Sequence, residues 1–547
     1  MFLPILTCLA ISLGQTGRVP AEPVPNFPSE GVQAELGLPQ DTPAKQEKKA
    51  ANDPQQSKDG NDVLPEPKAD DGNGKDKNGN GNEKKEDVYT PGFLNRLFKA
   101  YKDEFTKQED RFKKKDPPEE DPTVRRAAPQ PWTSPPFPVH DYQGYPLIGI
   151  QKDDTAYPLQ QALNGIPVVG DCLKNSGIKI YGWVTVEGNV STSHNSNIPS
   201  SYWIVPDRLE MDQSVLRIER EMDTVQTDHI DWGFRSTHMY GIDYRYTTAG
   251  GWFSDQALVH NRLYGYDPIE QYFDLYVPWV MEGMVIRVGR WVACPDIETQ
   301  LAPDNYLGSH SILFTYDTYT QTGVLLTFRP AERWLFQVGL NAGNDMAPWY
   351  QGAVPCGFLG LRWVSEDNHD AFYTVLNQID NAEFRHFEVN GQPAGHDNFN
   401  YIVSTWEHKF NQDFHTKTEA YFMWQRDAEV GGTPSIGAPQ TFGGGGGDGR
   451  LLPGTSLAYG VLNYSMYAIS NRDYITVRNE WYRDERGMRT GFAGDYSSHT
   501  VGISHQFNDY LMLRPEVGYY RNWTQPAFDL GTRNGMLMAG FDLTFRF

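Results

Sequence analysis

From Gly177 to the end, the chain is a series of short segments in which apolar and polar residues alternate. A period of two places successive side chains on opposite faces of a strand, so each segment is a two-faced strand. "IKIYGWVTVE" sets Ile178, Ile180, Gly182, Val184 and Val186 against Lys179, Tyr181, Trp183, Thr185 and Glu187. "DYITVRNEWYRDE" sets Tyr474, Thr476 and Arg478 against Ile475, Val477, Asn479 and Trp481. Other runs, such as "SVLRIERE", "GMVIRVGRW" and "RWLFQVGLNAG", follow the same rule. Breaks of two kinds separate them. Short ones at Asn411–Gln412–Asp413 and Asn508–Asp509 suit hairpin turns, and long ones include the Gly-rich "GGTPSIGAPQTFGGGGGDGRLLPG". Short turns at one end and long loops at the other are how transmembrane barrels are organised.

Alternation alone does not separate a barrel in lipid from a soluble sandwich, because both have an apolar and a polar strand face. No run of about 18 apolar residues exists, so a helical membrane protein is excluded. Aromatic residues make up 13% of the chain, with 30 Tyr, 28 Phe and 14 Trp. Tyr181, Trp183, Trp232, Tyr244, Tyr246, Trp363, Trp406, Trp424, Trp481, Tyr482, Tyr519, Tyr520 and Trp523 read as strand-end residues, as in the interfacial girdles of barrels. The last run, "GMLMAGFDLTFRF", has apolar residues at Leu537, Ala539, Phe541, Leu543, Phe545 and Phe547. A last strand has to pair with the first to remove the open edges, which gives the chain a reason to end on one.

These features resemble the OmpL-like β-barrel porin-2 family over about residues 177–547. The resemblance rests on "LRIEREMDTVQTDHIDWGFRSTHMYGIDYRY", "YVPWVMEGMVIRVGRWVACPDIE", "YTQTGVLLTFRPAERWLFQVGLNAGND" and "EWYRDERGMRTG". It implies an all-β, antiparallel transmembrane barrel of roughly 16–18 strands, in the size range that leaves an aqueous lumen. It also implies an outer-membrane porin that passes small hydrophilic solutes or ions by passive diffusion, without catalytic residues, cofactor or metal. Phe541, Leu543, Phe545 and Phe547 resemble the signal read by the barrel-assembly machinery. The implied partners are outer-membrane lipid and the permeating solutes, with a homotrimer as the family-class oligomer.

The segments before the strands depart from a bare porin. Residues 1–21, with "MFLPILTCLAISLG", read as a signal peptide for export to a Gram-negative outer membrane, although no Lys or Arg precedes the apolar run. Residues 22–90 are rich in Gly, Asn, Lys and Asp and too poor in apolar side chains to fold, so disorder is expected. Residues 91–116 carry Phe93, Leu94, Leu97, Phe98, Tyr101, Phe105 and Phe112 at helical spacing, an amphipathic helix. Residues 117–176 form a Pro-rich linker and lead-in.

Lys and Arg number 48 and Asp and Glu 70, a net charge of −22, which argues against nucleic acid as a partner. Of the four cysteines, Cys8 lies in the signal segment. Cys172, Cys294 and Cys356 have no metal-ligand spacing; a Cys294–Cys356 disulfide and solitary cysteines both remain open. "GGGGGDG" lacks the Lys-Ser/Thr and helix of a phosphate loop. Asp484 and Glu485, as strand neighbours, point to opposite faces and make a poor acid–base pair. Asp228 and Asp231 in "DHID" suit a solvated turn better than a cation site.

Charged residues inside the lumen are the better functional candidates. The long segment after Arg287 and Arg290, "WVACPDIETQLAPDNYLGSHS", has the length to fold inward as a constriction. Asp296, Glu298 and Asp304 would then oppose Arg217, Arg220, Arg287, Arg290, Arg329 and Arg362, and the transverse field would set an ion preference. Two other readings compete. An outer-membrane barrel hydrolase would need a nucleophile placed beside a His such as His499 or His505, and no such motif is present. A secreted carbohydrate-binding β-sandwich would dissolve without detergent.

Overall fold

A computed structural model describes residues 92–106, 141–142, 145–153, 155–200, 202–253, 256, 262–292, 297–350, 353–379, 388–389, 392–393, 399–431 and 450–547. The expected signal peptide, the low-complexity segment and most of the Pro-rich linker lie outside these residues, as does the Gly-rich loop. Sixteen antiparallel strands close into one barrel. In chain order they are β1 (Lys179–Ser191), β2 (Leu209–Arg220), β3 (Asp231–Gly241), β4 (Gly265–Val277), β5 (Met284–Val292), β6 (Thr320–Ala331), β7 (Trp334–Asn341) and β8 (Cys356–Val364). They continue as β9 (Asp370–Ile379), β10 (Phe399–Lys409), β11 (Phe414–Arg426), β12 (Thr455–Ala468), β13 (Asp473–Asp484), β14 (Gly494–Asn508), β15 (Leu511–Asn522) and β16 (Gly535–Arg546).

Each strand pairs with its sequence neighbours, and β16 pairs with β1, with Phe541 opposite Gly188 and Arg546 opposite Trp183. The Phe547 amide donates to the Gly182 carbonyl at 2.9 Å, so the ladder runs to the last residue. Closure leaves no barrel strand with an unpaired edge, which hydrocarbon requires.

Chain parity decides which side chains face inward. Along β13, Tyr474, Thr476, Arg478, Glu480 and Tyr482 are buried, while Asn479 and Trp481 are exposed. On the outside, Val477, Val501, Val517, Ala539 and Val190 form one apolar row across β13 to β16 and β1. Val501 stands mid-row with 49% of its surface exposed. Val501→Arg should lower unfolding free energy in lipid by about 2–4 kcal/mol if the row lies at the bilayer midplane. Urea titration in phospholipid vesicles reads this out; no loss would place the row outside the hydrocarbon.

The parity corrects part of the girdle reading. Trp232, Trp406, Trp481, Tyr519 and Trp523 do face outward, but Tyr181, Trp183, Tyr482 and Tyr520 point into the lumen and are buried. Tyr244 and Tyr246 lie on an inward-folded loop and are likewise buried.

Short turns join the strands at one end, as at 332–333, 410–413, 469–472 and 509–510; the connections at the other end are longer. In the 410–413 turn, Asn411 Oδ1 accepts from the Asp413 and Phe414 amides, both at 2.9 Å, a local bond that specifies the turn. By the barrel rule, the short-turn end faces the periplasm. Both the start of β1 and the last residue lie there, with three helices on the same rim: α1 (Phe93–Thr106), α2 (Pro158–Asn164) and α3 (Val169–Ser176). No helix among the described residues is long and apolar enough to cross a membrane.

The largest apolar cluster lies inside the barrel. Loop residues build a column there: Tyr246 stacks on Tyr202 at 4.1 Å, Tyr202 on His310 at 3.8 Å and His310 on Phe314 at 4.7 Å. Trp203 reaches the wall at Gly540, where a Cβ would fall 2.6 Å from the indole; glycine is needed for that approach.

Candidate functional site

Residues 297–319, between β5 and β6, fold into the lumen, with Leu301, Tyr306, Leu307, Ile312, Leu313 and Phe314 buried. A loop in a polar lumen must satisfy its backbone groups, and wall carboxylates do this. Glu480 accepts from the Ile312 amide at 3.1 Å and the Leu313 amide at 2.6 Å. Glu516 accepts from the Gly308 amide at 3.0 Å, and Glu419 from the Ile297 amide at 2.8 Å. Arginines hold the carbonyls: Arg478 donates to Ser309 O at 2.6 Å and Arg514 to Asn305 O at 2.5 Å. The loop is thereby fastened to β11, β13 and β15.

Glu298 belongs to these fastenings. It accepts from the Ser311 amide at 3.0 Å and the Tyr464 hydroxyl at 2.6 Å, and pairs with Arg478 at 3.3 Å. Asp304 sits half-buried on a 3₁₀ turn, Ala302–Asp304. Burial pushes its carboxyl above the ordinary range, against the pull of Arg217, Arg546 and Arg235. Burial also takes the His310 imidazole down to about 3, leaving it neutral, and takes Asp243, on the loop after β3, up to about 7. Asp296 lies outside the described residues, as does Cys294.

The basic candidates are paired mainly along the wall. Arg217 meets Glu270 at 2.8 Å, Arg287 meets Asp274 at 2.8 Å, and Arg290 meets Asp267 at 2.9 Å. Arg235 joins them, 2.8 Å from Glu219 and 3.3 Å from Glu270. Arg287 lies 3.6 Å over the Tyr272 ring. Arg220 lies nearer the periplasmic rim, 2.9 Å from Asp231 and over Trp232. Arg329 is 3.4 Å from Glu282 beside a short turn. Arg362 is buried on the inner face of β8. Of the two described candidate acids on the loop, Asp304 senses Arg217, and Glu298 pairs with Arg478, which is not among these six.

Across β15, β16, β1 and β2 the inner wall carries a row that the sequence did not single out. Arg514, Asp542, Glu187 and Glu210 are consecutive cross-strand partners. Arg514 Nε holds Asp542 at 2.8 Å, and Arg208 reaches Glu210 at 3.1 Å. Glu187 is fully buried, with no hydrogen-bond partner on either oxygen. Asp212 and Asp243 stand within its electrostatic reach, and no described basic residue forms an ion pair with either. The parity of "IKIYGWVTVE" placed Glu187 with Tyr181 and Trp183, but its strand neighbours lie far away in sequence.

A second segment enters from the periplasmic end. Leu147 and Ile148 pack on Tyr276, Val285, Leu335 and Tyr373. Tyr145 meets Phe358 edge-on at 5.6 Å, and the Gly149 amide donates to Thr224 Oγ1 at 2.9 Å.

A closed sixteen-stranded barrel with an apolar exterior, a charged inner wall and a loop folded into the lumen defines an outer-membrane channel of the porin class. The chain belongs to the family described as "Putative beta-barrel porin-2, OmpL-like", whose model matches residues 177–547. Among solved structures it is similar to an anion-selective porin from Comamonas acidovorans at 8% identity, over 68% of this chain and 99% of that one, TM-score 0.44. It is also similar to OprB of Pseudomonas putida (9% identity, 69% and 96% covered, TM-score 0.41). The outer-membrane channel DcaP of Acinetobacter baumannii is a third (10% identity, 68% and 97% covered, TM-score 0.40). No curated protein shows significant similarity to the chain.

Proposed function

We propose that this outer-membrane porin is a narrow diffusion channel that prefers cations among small hydrophilic solutes and ions. One observation carries the preference: the Asp542–Glu187–Glu210 row, joined by Asp212 and Asp243, holds more carboxylates than basic partners. The arginine ladder on β2 to β5 is balanced by Glu219, Glu270, Asp274 and Asp267, so it adds little net field. In this reading Asp304 contributes to the constriction, Glu298 fixes the loop, and Phe541, Leu543, Phe545 and Phe547 act as the assembly signal after export.

The test is conductance of the purified chain in a planar bilayer under a salt gradient. Discrete small steps with a cation-directed reversal potential are expected. An anion-directed potential would overturn the preference, and insertion without steps would overturn the open-channel reading.

A further inference from the structure

Helix α1 presents two stripes. Ala100 and Glu104 are buried toward the barrel rim, and Arg96 Nε donates to Ala162 O of α2 at 3.0 Å. On the other stripe Leu94, Phe98 and Phe105 are 61%, 66% and 53% exposed, and Tyr101 completes the 94, 98, 101, 105 spacing of one helical face. Three large apolar side chains on one face of a short helix mark an interaction surface rather than scattered exposure.

The position of the helix says what covers them. The Tyr101 ring stacks on Phe545 at 5.0 Å and meets Tyr510 edge-on at 5.9 Å. Phe545 belongs to the outward row of β16, opposite Val184 of β1, so it faces lipid. The Tyr101 hydroxyl donates to Arg546 O at 3.3 Å, and the Asp509 amide to Glu104 at 3.4 Å. The exposed stripe thus continues the lipid-facing surface at its periplasmic edge. Lys102, exposed beside that stripe, supplies an amine at headgroup level, while Lys99 pairs with Asp103 at 2.8 Å.

We propose that α1 is an interfacial helix seated in the periplasmic leaflet of the outer membrane, with Leu94, Phe98 and Phe105 at the acyl boundary. The partner is a phospholipid surface. The helix would anchor the rim where β16 meets β1 and fix the point from which the chain enters the lumen.

The test uses the full chain in vesicles of phosphatidylethanolamine and phosphatidylglycerol. The photoreactive residue p-benzoylphenylalanine replaces Phe98 in one preparation and Asp103, on the far side of the helix, in another. Both sites are exposed, and heat-modifiable migration confirms the barrel in each. Mass spectrometry should find several-fold more lipid adduct from position 98 than from 103. Equal yields, adducts mainly to a second copy of the chain, or no adduct from position 98 would each overturn the proposal.

Discussion

Deleting residues 299–314 should raise the unitary conductance several-fold. The segment crosses the lumen, and its own side chains, His310 and Phe314 among them, form half of the aromatic column that stacks there. The strand ladder does not depend on it, because every barrel strand pairs with two others. The wall groups it leaves behind, Glu480, Glu516 and Arg478, would face water, where charges are well solvated. The barrel should therefore remain closed, and heat-modifiable migration checks this. Residues 145–150 narrow the periplasmic end in series with the loop. Deleting 141–150 alone should raise conductance less. Since series resistances add, deleting both should raise it by more than the two single increments together. Steps that do not change when 299–314 are removed would show that ions take a route outside the loop.

Much of this architecture was legible as alternation, because a strand in a closed barrel has one lipid face and one lumen face and every residue must choose. The run from Tyr474 to Arg478 gives the correct inward set, Tyr474, Thr476 and Arg478. The girdle reading fails at Tyr181 and Trp183 because chain parity, not aromatic character, sets which face a strand side chain takes. Thr185 and Glu187, two and four residues on from Trp183, share its face, and an ionised Glu187 is hard to place against lipid. The inward fold of the loop was legible from its length. Its fastenings were not, since Glu298 and Arg478 stand 180 positions apart and meet only once the barrel has closed. The lead-in escaped for a different reason. "YPLIGI" has too few residues for a period to show, and its burial depends on the hollow that Tyr276, Leu335 and Tyr373 create.

Glu187→Gln combined with Asp212→Asn should move the reversal potential sharply toward anions. The pair removes two carboxyl groups from the row and keeps side-chain size. An ion about 4 Å from a carboxylate gains roughly 1 kcal/mol in bulk water and about 4 kcal/mol at an effective dielectric near 20. A narrow lumen lies between these limits, and each 1.4 kcal/mol is about tenfold in occupancy. The cation-to-anion permeability ratio should fall by about tenfold or more. Glu210 already has Arg208 at 3.1 Å, and Asp542 has Arg514, so neutralising either would also free a basic group. Glu187 and Asp212 release no such partner, which makes them the cleaner test. The fold should tolerate the change. Like charges set opposite each other across strands are destabilising, and Glu187 lies directly between Asp542 and Glu210. The double variant should accordingly resist urea at least as well as the parent. A permeability ratio that stays put would assign selectivity to Asp304 and the arginine ladder instead. Anion preference already present in the parent would remove the acidic row from the mechanism altogether.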